Sequence, residues 1–78
     1  MMKDDMAIHA GIPEKAVKAA VSKLQDDEQL VDVTWTLPRA RPGRPIKVAI
    51  EAERSADIQL AKQRLEQLLG EAGYDLYP

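Results

Sequence analysis

Apolar and polar residues alternate strictly along two stretches of this chain, residues 31–37 and 46–52. In the first, Val31, Val33, Trp35 and Leu37 fall on one side, and Asp32, Thr34 and Thr36 on the other. In the second, Ile46, Val48, Ile50 and Ala52 oppose Lys47, Ala49 and Glu51. A period of two is the signature of a half-buried strand. Two such runs joined by a segment rich in proline and glycine predict a β-hairpin over residues 31–52. Elsewhere the period is helical. Val17, Ala20, Val21 and Leu24, at i, i+3, i+4 and i+7, give residues 13–25 one apolar face. Pro13 stands near the first turn, where its missing N–H costs nothing, and Glu14 suits the positive end of the helix dipole. Ile58, Ala61, Leu65, Leu68, Leu69 and Ala72 predict a last helix, with Ser55 as N-cap, Asp57 in the first turn and Gly70 or Gly73 as its stop. Residues 3–10 read as a short helix with Met6, Ile8 and Ala10 apolar and Gly11 ending it.

These elements add up to one small α+β domain over residues 1–78. A helix-turn-helix spans 3–28, a two-stranded hairpin spans 31–52, and a C-terminal helix spans 55–73. A chain of 78 residues buries only a modest core and sits where small folds need help. It has no cysteine, so neither disulfides nor thiolate metal sites supply that help. Its one histidine makes a metal centre a poor expectation. A partner subunit remains, and Ile58, Leu65, Leu68 and Leu69 form the candidate dimerisation seam. No apolar run approaches the ~18 residues that span a bilayer. The first residues carry acids where a signal peptide carries its basic region. The expectation is a soluble, cytoplasmic homodimer with no membrane partner.

Charge changes this picture more than composition does. The net charge of −2 argues by itself against a nucleic-acid binder. Its distribution argues the other way: residues 38–47 hold Arg39, Arg41, Arg44 and Lys47 and no acid, while Asp4, Asp5, Asp26, Asp27, Glu28, Glu51 and Glu53 lie elsewhere. Such asymmetry predicts one cationic face. Pro38, Pro42 and Pro45 restrict the hairpin tip, so less entropy is lost on docking, and Gly43 lets the backbone turn. On the helix over 13–25, Lys15, Lys18, Ser22 and Lys23 surround Ala19 opposite the apolar stripe. Lysine and serine contact phosphates, and a small alanine allows close entry into a major groove. The candidate DNA-binding residues are therefore Lys15, Lys18, Ser22, Lys23, Arg39, Arg41, Gly43, Arg44 and Lys47.

Residues 6–31, MAIHAGIPEKAVKAAVSKLQDDEQLV, resemble the core of winged-helix DNA-binding domains of the prokaryotic or mobile-element regulator type. Ala7, Gly11, Ile12, Val17, Val21, Leu24, Leu30 and Val31 fall at that family's apolar and glycine positions. Pro42-Gly43-Arg44-Pro45-Ile46-Lys47 resembles the G-R-P-x-K that such regulators place at the wing tip, and its Gly-Arg-Pro also resembles the AT-hook. The resemblance covers residues 5–52. It implies a recognition helix over 13–25 in the major groove and a wing that grips the minor groove or the backbone. One departure is plain: only five residues precede Met6, so the family's longer first helix has no counterpart. The C-terminal helix is expected to fill that space or to pair with a second copy.

Other chemistries find little support. There is no Cys-His or Ser-His constellation and no glycine-rich phosphate loop, so no enzyme and no cofactor are expected. The carboxylate runs read as solvated faces, because none sits in an apolar pocket that would raise a pKa. His9 reads as a surface or capping residue, and Trp35 reads as core. The expected function is a sequence-specific double-stranded DNA-binding regulator, repressor-like in action. The alternative is a small interaction module or inhibitor that docks its Arg-rich wing on an acidic protein surface.

Overall fold

The structure, a computed structural model, describes residues 1–39, 41 and 43–74. Ala40 and Pro42 of the wing and the tail at 75–78 lie outside the described residues. The elements are β1 (Met2–Ile8), α1 (Glu14–Gln25), a short 3-10 turn (Glu28–Leu30), β2 (Thr34–Thr36), β3 (Ile46–Ala52) and α2 (Ser55–Glu71). This is an α+β fold: three antiparallel strands in the order β1-β3-β2, with both helices contributing to the core on one side.

The first element overturns an expectation. Residues 3–10 do not form a helix; Met2–Ile8 pair with the whole of β3, from Met2↔Ala52 to Ile8↔Ile46. The physical reason is visible in the residues. Met6 and Ile8 are spaced by two, which is the period of a strand. The alternation sends Ile8 into the core and Lys3, Asp5 and Ala7 to solvent. A helix-turn-helix over 3–28 is thereby replaced by strand, turn and helix. The two-stranded wing becomes part of a three-stranded sheet.

The expected first wing strand shrinks from seven residues to Thr34–Thr36. Asp27 is the cause: its Oδ1 accepts from the Gln29 N–H at 2.9 Å, which starts a 3-10 turn in place of an extended chain. Local side-chain to backbone bonds of this type compete with strand formation. The Val33 N–H then bonds the Leu30 carbonyl at 3.1 Å, which keeps the chain curled. Leu30 is buried, whereas Val31 is 76% exposed. Trp35 is core as expected, at 8% exposure.

α1 starts after Pro13, the extended N-cap (φ −61°, ψ 142°). It buries Val17, Ala20, Val21 and Leu24, the four residues of the expected stripe. α2 starts one residue earlier than expected, with Arg54 at the N-cap and Ser55 as its first helical residue. It runs through Gly70 and stops at Gly73, where φ is +91°. There the Tyr74 N–H reaches the Leu69 carbonyl at 3.0 Å and the Gly73 N–H reaches that of Gly70 at 3.0 Å, the paired bonds of a Schellman end. Ile58, Ala61, Leu65 and Leu69 are all buried within the chain's own core. Their apolar surface is removed from water at about 25 cal/mol per Å² without any second copy.

Two side-chain clamps lock α2 in place. Lys62 of α2 pairs with Asp4 of β1. Arg64 donates to Gln29 Oε1 at 2.5 Å and lies 3.8 Å from Asp27 Oδ2, tying α2 to the turn before β2. No helix among the described residues is long and apolar enough to cross a membrane.

Candidate nucleic-acid interface

The turn between β1 and α1 sets the site. The Ile12 N–H bonds the His9 carbonyl at 3.1 Å, and the Gly11 N–H donates to His9 Nδ1 at 3.1 Å. His9 thus caps the turn. A Cβ at Gly11 would stand 2.8 Å from His9 Cε1, so only glycine leaves the imidazole where it is. This turn buries Ile12 and aims the start of α1 at the hairpin tip.

The tip meets it there. A hollow of about 300 Å³ is lined by Ala10, Ile12, Pro13 and Glu14 on one side and by Arg41, Gly43, Arg44 and Ile46 on the other. The Arg44 N–H bonds the Arg41 carbonyl at 3.1 Å, and Gly43 has φ +73°. That sign of φ costs glycine nothing, which is why glycine serves. Arg39, Arg41, Gly43, Arg44 and Lys47 are all exposed. Lys47 stands on the solvent face of β3, opposite Ala7.

On α1, Lys15, Lys18, Ala19, Ser22 and Lys23 are likewise exposed. Lys18 pairs with Glu14 at 2.8 Å across one helical turn. With the lysine 61% exposed, such a pair contributes only ~0.5 kcal/mol and leaves the ammonium available to an anion. The acidic run Asp26-Asp27-Glu28 follows the far end of α1, ~18 Å from Pro13 at 1.5 Å per residue. The helix thus carries Glu14 in its first turn beside the wing, Lys15, Lys18 and Lys23 along its length, and the acidic run beyond its far end.

Not every expected site residue joins this arrangement. Lys15, Ala19 and Lys23 border a second hollow, between α1 and the end of α2, so the expected DNA face divides into two flanks. The dimerisation seam does not survive as a surface. Ile58, Leu65 and Leu69 are 3%, 0% and 1% exposed; only Leu68 remains half-buried, at the edge of that second hollow. The expectation left core and second copy open, because an apolar stripe records that a helix is covered and not by what; here the chain's own core covers it.

The remaining groups are structural. Trp35 Nε1 is buried with no hydrogen-bond partner among the described residues, so the indole is no exposed stacking platform. The Lys62 ammonium, and after it the Asp5 N–H, hold the Asp4 carboxyl below the usual carboxylate range. Among the described residues, no group of three His, Cys, Asp or Glu side chains could hold a metal ion. The residues that sequence reasoning missed are Ala16 and Tyr74, which line the second hollow. Ala16, one turn before Ala20, was the available signal, since it widens the apolar arc of α1. No family model, no curated protein and no solved structure matches this chain.

Proposed function

We propose that this protein binds double-stranded DNA in the manner of a winged helix, with β1 standing where that family has its first helix. The observation that carries the reading is the hollow that joins the first turn of α1 to Arg41, Gly43 and Arg44 of the wing. It sets the first turn of α1, with Glu14 at the rim, beside a hairpin tip with no acid in it, and the exposed Lys15, Lys18 and Ser22 follow along the same helix. The helix supplies a rod of the width a major groove admits, and its N-terminal end favours phosphate. Arginines at the tip suit the enhanced negative potential of a narrow minor groove. The acidic end of α1 repels DNA from the wrong orientation. A protein docked this way represses by occluding the site.

Fluorescence anisotropy of a labelled duplex tests this. Each neutralised phosphate contributes about −0.9 to the slope of log affinity against log salt. The triple variant R39A/R41A/R44A, all at exposed positions, should lower that slope by about 2 to 3 and leave the fold intact. Unchanged affinity and slope in this variant would remove the wing from the interface and the reading with it.

A further inference from the structure

The second flank of α1 carries a surface that shares only Lys15 with the proposed DNA ridge. Between α1 and the end of α2 lies an open groove of about 420 Å³, with Ala16, Ala19 and Ala20 facing Leu68, Leu69 and Tyr74. The only charged residues lining it among the described ones are Lys15 and Lys23. Three small side chains on one helix let another segment approach closely. The groove therefore asks for an apolar group flanked by acids.

The chain itself carries that complement. Val31 is 76% exposed, and besides Met1 and Met2 it is the one large apolar side chain so exposed among the described residues. Asp26, Glu28 and Asp32 around it are all exposed, and residues 26–32 contain no cation. The turn is held in shape by the bonds of Asp27 and Arg64 to Gln29 and by buried Leu30, so little ordering entropy is lost when it docks. We propose that the groove receives the 26–32 turn of a second copy. Each copy owns both surfaces, and the proposed exchange is reciprocal, which closes a two-fold dimer where a one-way exchange would build an open chain. Lys15 and Lys23 then face acids of the partner, which steers the encounter and fixes its register. The seam expected on α2 is replaced by a contact built on α1. This inference does not rest on the DNA reading and is tested without DNA.

Sedimentation velocity on the full chain decides it. The wild type at high micromolar concentration should sediment with twice the 8.7 kDa mass of one chain. K15E/K23E reverses the groove, and D26K/E28K/D32K reverses the turn while sparing Asp27. Each variant alone sets like charges against each other at both contacts, and its dissociation constant should rise about tenfold or more. An equimolar mixture of the two variants should recover the dimer, because both contacts then join opposite charges; a misfolded variant could not do this. A monomeric wild type, a dimer indifferent to both reversals, or a mixture that stays monomeric would overturn the proposal.

Discussion

Gly11→Ala is the sharpest test of how the site is assembled. Gly11 does not need glycine for its backbone, since the positive φ values belong to Gly43 and Gly73. At such a position alanine ordinarily stabilises by about 0.4–1 kcal/mol, because the unfolded chain loses freedom. Here the new Cβ would meet His9 Cε1 at 2.8 Å and Nδ1 at 2.9 Å. The imidazole must swing away, and the Gly11 N–H bond to Nδ1 is lost with it. That bond is worth about 0.5–1.5 kcal/mol, and the displaced ring, half-buried in the native fold, gives up its packing as well. The two effects oppose each other, and the expected net change is a loss of about 0.5–1 kcal/mol. In a His9→Ala background the obstacle is gone, and Gly11→Ala should instead stabilise by about 0.4–1 kcal/mol. The coupling between the two positions is then about 1–2 kcal/mol, as expected for residues in direct contact. Urea unfolding of the wild type, both single variants and the double variant closes the cycle. In thermal melts each kcal/mol should appear as about 4–8 °C for a domain of this size. If Gly11→Ala shifts stability by the same amount and sign in both backgrounds, the imidazole does not define this turn.

Other expectations follow from the same structure. Leu65→Ala, at a fully buried position, should cost about 2–5 kcal/mol; a loss that vanishes at low protein concentration would mean that Leu65 belongs to an interface and not to the core. Because the Asp4 carboxyl is held below its ordinary range by Lys62, its stabilising share is present above the unfolded carboxylate value and fades as pH falls through the lower folded value. Asp4→Asn should flatten the acid limb of stability against pH in urea melts, and an acid limb as steep as that of the wild type would refute the clamp. Since Trp35 is core, its emission should be blue-shifted, resist iodide quenching and stay unchanged when duplex DNA is added; strong quenching by DNA would show the indole stacking on bases.

The helices were legible because their burial patterns are local. The stripe Val17, Ala20, Val21, Leu24 became the buried face of α1 residue for residue. Most of the α2 stripe was also buried as read. What the stripe left open was its partner, the core or a second copy, and Ile58, Leu65 and Leu69 lie in the core. The β1 error was of another kind. Met6 and Ile8 stand two apart, a strand period read as a helix, and the pairing that settles it lies about forty residues away, on β3. β2 fell short because an Asx bond at Asp27 bends the chain before Thr34, a contest between local and sheet hydrogen bonds that alternation alone does not reveal. Of the candidate site, exposure of the wing cations and the α1 lysines could be read from the sequence. Their division into two flanks could not, because it depends on where the end of α2 lies against α1.

The claim that α1 and the wing act together on DNA is tested most directly by mapping amide chemical shifts of the labelled protein during titration with a duplex. The account predicts that shifts concentrate at residues 14–22 and at Arg39, Arg41, Gly43, Arg44 and Lys47, and that they fade together as salt is raised. Shifts confined to the open sheet face at Thr34, Thr36 and Ala49, or no shifts at low salt, would contradict it.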